Sequence, residues 1–230
     1  MDDFYVDGRG AAEFGARLLA DYTVGGAQLT RGRLQPAAGM RFVPLATRCG
    51  LRRISLTVDI YGPTPRRAQE QKSALDAAFL ADPVELALPD GFAYTASLDS
   101  IGEVKELTLD GCVLEGSYKL SGFRHGPPET VTLPAGGGSF YASGTAPDME
   151  CVLSCTVGSD AGTYLMAGVL WVNVSAGDLL VLDGIRRTVL RNGANALNRC
   201  DLTRWPLLAP GKNVLTAPDP LTITYHPIYL

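Results

Sequence analysis

Two histidines in 230 residues, no C-x-x-C pair and five scattered cysteines leave little with which to hold a metal. A zinc site of ordinary composition needs four closely spaced Cys or His ligands, which His125, His226, Cys49, Cys112, Cys151, Cys155 and Cys200 do not supply. An odd, dispersed set of cysteines in a chain with ample apolar material also argues against a disulfide framework, and buried thiols are expected instead. The longest nearly pure apolar run, Tyr164–Val172, is about half of the roughly 20 residues a bilayer-spanning helix requires, so no membrane insertion is expected. The traces an enzyme leaves are missing as well. There is no G-x-S-x-G elbow, and Gly211-Lys212 has Pro206 where a phosphate loop needs its first glycine. Gly8-Arg9-Gly10-Ala11-Ala12-Glu13 starts like a dinucleotide fingerprint but ends in Glu, outside any βαβ pattern. Neither catalysis nor a cofactor is expected, and His125 reads as a linker residue rather than the base of a Cys112 nucleophile. Met1-Asp2-Asp3 carries acid where a secretory signal carries a basic segment, which predicts synthesis in a cytoplasm.

What is present is a 46% hydrophobic chain with 26 Gly and 15 Pro, enough for one large or two small domains. The alternation of Ile54, Leu56, Val58 and Ile60 against Arg53, Ser55, Thr57 and Asp59 predicts a half-buried strand over 51–61. Thr64 is placed to cap a helix, Pro65 suits its first position, and good helix formers continue to about Ala81 with Ala68, Leu75, Ala78 and Phe79 as the apolar stripe. A short helical turn fits within 11–21. Strands follow at hairpin spacing over 84–88, 92–98, 104–109 and 113–120, with turns at Pro89-Asp90-Gly91 and Asp110-Gly111. Between Gly122 and Gly138 the pattern dissolves, placing a domain boundary near residue 128. The second half reads as all-β, with strands near 149–157, 163–174, 179–183, 185–191, 195–202, 212–216 and 220–229, the spacing of an antiparallel sandwich. Met149, Cys151, Leu153, Cys155 and Val157 alternate as one core face. The fold class expected is mainly β: an α+β, sandwich-like N-terminal domain with one helix over 1–128, then a β-sandwich over 129–230.

A net charge of −4 gives no general attraction to nucleic acid or anionic membrane, but it hides segregation. Tyr22–Val58 holds Arg31, Arg33, Arg41, Arg48, Arg52 and Arg53 and no acid, whereas Asp76–Glu115 holds nine acids and only Lys105. These segments, +6 and −8, either balance each other within one domain or form a head-to-tail interface between subunits. In the second case Arg31, Arg33, Arg52 and Arg53 face Asp82, Glu85, Asp99 and Glu103 of a neighbour. A third reading, an arginine groove for nucleic acid, needs stacking aromatics, and only Phe42 is near. Trp171, inside Leu170-Trp171-Val172, reads as core, while Trp205 on a turn is a candidate sugar contact.

Phe4-Tyr5-Val6-Asp7-Gly8, Glu13-Phe14-Gly15-Ala16-Arg17-Leu18, Arg53-Ile54-Ser55-Leu56-Thr57-Val58, Leu88-Pro89-Asp90-Gly91-Phe92-Ala93-Tyr94 and Gly116-Ser117-Tyr118-Lys119-Leu120-Ser121-Gly122 stand in an order that resembles the distal tail proteins of long-tailed, siphovirus-type bacteriophages. The resemblance continues through Asn173-Val174-Ser175-Ala176-Gly177-Asp178, Asn192-Gly193-Ala194-Asn195-Ala196-Leu197, Asp201-Leu202-Thr203-Arg204-Trp205-Pro206, Leu208-Ala209-Pro210-Gly211-Lys212-Asn213 and the closing Thr222–Leu230. It implies a hexameric ring built by N-terminal domains, a galectin-like C-terminal sandwich, and a place at the distal end of the virion tail. The partners it implies are further copies of the chain, the major tail tube protein, the tail-associated hub protein, and the receptor-binding and tape-measure proteins. It supplies no catalytic residues, metal or cofactor, and no sequence-specific nucleic-acid contact. The rival expectation is a carbohydrate-binding module that recognises host cell-wall polysaccharide through Trp205.

Overall fold

The structure, a computed structural model, describes residues 3–19, 22–34 and 43–230, without the side chains of 31, 33–34 and 43–49. It is mainly antiparallel β, with one α-helix among the described residues and none long and apolar enough to cross a membrane. The chain divides into two compact units, one of residues 1–125 with Leu230 and one of residues 126–229.

The first unit is organised by two long strands, Arg52–Tyr61 and Val113–His125, paired antiparallel from Val113 opposite Tyr61 to Gly122 opposite Arg52. From them the sheet runs outward through Ala16–Leu18 on one side and through Ala93–Ile101, Val84–Ala87, Tyr5–Val6 and Arg9–Gly10 on the other. Period-two geometry sends Ile54, Leu56, Val58, Ile60, Leu114, Tyr118 and Leu120 to one face, where all are buried. The helix Pro65–Phe79 covers that face with Ala68, Leu75 and Phe79, the Phe79 ring lying 4.5 Å from that of Tyr118. Its start follows from the sequence: Pro65 occupies the first turn and Thr64 Oγ1 accepts the Arg67 N–H at 3.2 Å. Gly62 lets it approach, since a Cβ there would meet Ala68 N at 2.3 Å. A separate hairpin joins Leu29–Leu34 to Val43–Cys49.

One charged residue lies on the helix's inner side against expectation. Lys72 is buried between Leu75 and Ala68 in sequence, its Nζ donating to both Asp76 carboxylate oxygens at 2.6 and 2.7 Å. Tyr118 donates its hydroxyl to Asp76 Oδ1 at 2.8 Å, and Lys72 Nζ stands 5.2 Å over the Tyr118 ring. Burial first, and then the Asp76 carboxylate, push the Tyr118 phenol well above its ordinary range.

The second unit encloses one core between antiparallel sheets. One sheet runs Glu129–Leu133, Leu221–Tyr225, Met149–Thr156, Leu179–Asp183, Thr188–Arg191 and Ala194–Asn195. Opposite stand Ala161–Met166, Val169–Val174 and Cys200–Asp201, with the pair Gly138–Ala142 and Gly211–Leu215 beside them. Cys151, Leu153, Leu182 and Ile223 from the first set meet Met166, Val169 and Trp171 from the second, the arrangement of a sandwich. Cys151 and Cys155 lie in this core, as the alternation predicts, and burial pushes the Cys151 thiol up to about 12. Cys49 lies outside the described side chains.

Five expectations need correction. Residues 163–174 are not one strand but a hairpin turning at Ala167 and Gly168, whose φ of 49° and 84° suit the tight turns that match strand twist. Ala-Gly lacks the Asn-Gly cue, so the run reads as continuous. The pattern break at Gly122 is not a break either: Val113–His125 runs through it, and a Cβ there would meet Thr95 O at 2.5 Å, so the glycine serves close strand packing. His125 is not a linker residue but the buried end of that strand, its Nε2 3.1 Å from both Glu85 Oε2 and Thr95 Oγ1. Finally, 104–109 pairs only at Lys105–Glu106, and 195–202 contains a 3-10 turn at Leu197–Arg199.

Two expected outcomes test this packing. Removing the Asp76 carboxylate (Asp76→Ala) strands a buried ammonium, and urea unfolding should record a loss of about 2–4 kcal/mol, against about 1 kcal/mol or less for Lys72→Met, which removes the charge itself. In the second unit the Asp178 carboxyl is held below its ordinary range by the Ser175 N–H at 2.6 Å, then by Arg191 at 2.5 Å and Asn192 at 2.7 Å. A depressed folded value stabilises above the unfolded value, near 3.9, and that contribution is lost as pH falls through the folded value. The melting-temperature gap between wild type and Asp178→Asn should therefore be largest near neutrality and shrink steadily below about pH 4.

Candidate functional site

The face of the first unit's sheet opposite the helix carries the outward parity of the two long strands. Across the ladder Arg53 stands opposite Ser121, Ser55 opposite Lys119, Thr57 opposite Ser117 and Asp59 opposite Glu115. Hydroxyls on this side serve carboxylates: Ser97 donates to Asp82 at 2.5 Å, Thr95 to Glu85 at 2.6 Å and Ser121 to Asp99 at 2.6 Å. Arg53 and Lys119 make no ion pair among the described residues. They border a shallow cavity of about 570 Å³ that Gln28, Leu51, Asp99 and Ser121 complete.

At the end of Ala93–Ile101 the chain forms a flap, residues 101–110, in which every residue is exposed. Its backbone is nonetheless fixed. Gly102 N–H donates to Ser117 O at 2.8 Å, Leu107 N–H to Val113 O at 2.9 Å, and Lys105 and Glu106 pair with Glu115 and Leu114. The Thr108 hydroxyl and then the Cys112 N–H hold the Asp110 carboxyl below its ordinary range, so that turn keeps its charge.

The predicted site residues separate under this geometry. Arg52 turns inward with Ile54: it is 8% exposed and its guanidinium donates to Gly25 O at 2.8 Å, with burial and then Arg124 lowering its pKa. Arg53 turns outward. Asp82, Glu85 and Asp99 are exposed but accept hydrogen bonds inside the unit, and Glu103 stands on the flap. The side chains of Arg31, Arg33 and Arg48, and all of Arg41 and Phe42, lie outside the described residues. Lys119 and the apolar flap residues Leu107 and Leu109 escaped sequence reasoning. Lys119 sits in a strand whose signal is its buried parity, and the flap leucines read as part of a strand over 104–109.

In the second unit Trp171 is fully buried and Trp205 half-buried, with the Arg187 guanidinium 5.5 Å from its ring centre and Arg187 paired to Glu150. Trp205 borders a cleft of about 520 Å³ with Asp148, Gly168, Arg204 and Pro206. No cluster of three or more Cys, His, Asp or Glu among the described residues is arranged to hold a metal.

Residues 162–229 match the family model described as the siphovirus-type tail component, C-terminal domain. No curated protein matches the sequence. Among solved structures, the SPP1 Dit protein, presented as a paradigm of the hub adsorption apparatus of phages infecting Gram-positive bacteria, shares the fold with a TM-score of 0.74 over 99% of each chain at 15% identity. A chain of the phage P2 baseplate in its calcium-activated conformation gives 0.56 at 8% identity over 95% of this chain and 92% of that one. The strontium form gives 0.55 at 8% identity over 94% and 92%.

Proposed function

We propose that this chain, a member of the siphovirus-type distal tail proteins, forms a hexameric ring that joins the tail tube to the tail-associated hub and the receptor-directed tip. The observation that carries the reading is the family match over 162–229, supported by a fold held in common with the SPP1 Dit protein from end to end. The family is one of structural tail components, and the role proposed is geometric: a closed ring positions its neighbours and leaves a passage on its axis. The proposed partners are other copies of the chain, the tail tube protein and the hub, with receptor-binding and tape-measure proteins beyond them. The exposed apolar side chains of the flap, Ile101, Val104, Leu107 and Leu109, support an oligomer, because clustered apolar surface of this kind is ordinarily covered in an assembly. The location proposed is the distal end of the virion tail.

Light scattering on the purified chain, alone and with its hub protein, tests the reading. A particle of about six times 24.4 kDa is expected in at least the second condition. A monomer in both, at high concentration, would overturn it.

The cleft beside Trp205 favours a second reading, host-wall carbohydrate binding. The Trp205 ring, with Arg187 over it and Asp148 and Arg204 in the same cleft, offers an aromatic surface and both hydrogen-bonding polarities to a pyranose. Because Trp171 is buried, Trp205 is the tryptophan whose emission should respond to wall oligosaccharides. A flat titration removes this reading.

A further inference from the structure

We infer that the flap 101–110 of one copy seats on the Leu51–Arg53–Lys119 face of the next, making these two patches the complementary halves of the contact between chains. The inference rests on the ring reading above and names the surfaces that would close it. Ile101, Val104, Leu107 and Leu109 are all exposed within nine residues, Leu109 completely, whereas scattered single apolar residues would need no explanation. Hydrogen bonds to Ser117 and Val113 hold this segment in shape, so its apolar side chains are presented rather than loosely placed. Glu103, Glu106 and Asp110 alternate with them and give the flap a negative rim.

The face that fits carries two cations, Arg53 and Lys119, against one acid at its border, Asp99, which accepts from Ser121, and it has exposed apolar groups of its own. Leu51 is 44% exposed, Leu29, which follows Gln28 at its contact with the Gly50 N–H, is 50% exposed, and Arg53 and Lys119 lie on neighbouring strands with no ion-pair partner among the described residues. Most other described cations of the first unit are already engaged: Arg9 with Glu13, Arg17 with Asp3, Arg66 and Arg67 with Glu70, Lys72 with Asp76 and Lys105 with Glu115. The flap of the same chain does not lie over this face: its ladder holds it in the plane of the sheet along the edge of Val113–His125, from Ile101 opposite Tyr118 to Lys105 opposite Glu115. The occupant is a second copy, whose flap brings the opposite charge. Because the two patches differ, the contact is head-to-tail, the type that closes into rings.

Charge reversal on the full chain tests the pairing. Arg53→Glu with Lys119→Glu gives a chain negative on both patches, and Glu103→Lys with Glu106→Lys gives one positive on both. Each alone should need at least roughly tenfold more protein than wild type to assemble, since like charges face each other. An equimolar mixture should restore the wild-type mass by alternating around the ring. Unchanged assembly of either variant, or failure of the mixture to recover while both keep wild-type melting curves, overturns the pairing. Hydrogen exchange on the unmodified chain gives an answer independent of variants: amides of 103–110 should exchange more slowly in the ring than in the monomer. If a ring forms without that protection, this pairing falls and the ring reading stands. A wild-type chain that never assembles removes both.

Discussion

Pairing of Arg52–Tyr61 with Val113–His125 is the constraint on which the first unit depends. The ten-position register from Val113 to Gly122 decides which side chains meet the helix and which meet solvent. A slip of one residue would exchange Ile54, Leu56, Val58 and Ile60 for Arg53, Ser55, Thr57 and Asp59. The apolar parity is anchored by the helix through Leu75, Phe79 and the Phe79–Tyr118 ring contact. The polar parity then follows as a consequence. The face that carries Arg53 and Lys119 is the reverse side of a core, held in place by what is packed behind it.

The same constraint explains how much the sequence disclosed. Strand 51–61, the helix with its Thr64 cap, the Cys151–Cys155 core face and the burial of Trp171 were legible because each is a local pattern with a physical cause within a few residues. Gly122 and His125 were misread because their roles are set by other strands: Thr95 and Ala96 lie against the first, Glu85 and Thr95 against the second. The hairpin at Ala167-Gly168 hid inside an apolar run for the same reason, since both its arms face a core that only the assembled sandwich supplies.

Side-chain direction at the candidate site was half legible. Arg52 shares parity with Ile54, so its inward turn was available from the alternation. The charge segregation drew it into the outward group with Arg53 all the same. Lys72 breaks the rule in the other direction, a charge on an apolar stripe, and is tolerated because Asp76 one turn later and Tyr118 across the sheet complete its shell. In both places net charge along the sequence was a poor guide to charge on the surface, because burial and internal pairing intervene. Asp82, Glu85 and Asp99 count as acids in the segment sum, yet each already accepts a hydroxyl hydrogen bond from its own sheet.

The two units place their polar commitments differently. In the second unit the buried or half-buried charges are met within a few strands: Asp178 by Ser175, Arg191 and Asn192, and Asp219 by Tyr164 and Gly158. In the first unit the flap uses backbone hydrogen bonds to hold Leu107 and Leu109 in water, an arrangement that gains no burial in the isolated chain. A folded domain that fixes apolar groups outward in a defined geometry is stable without them, and in the proposed ring the order of that segment serves the contact with the next copy.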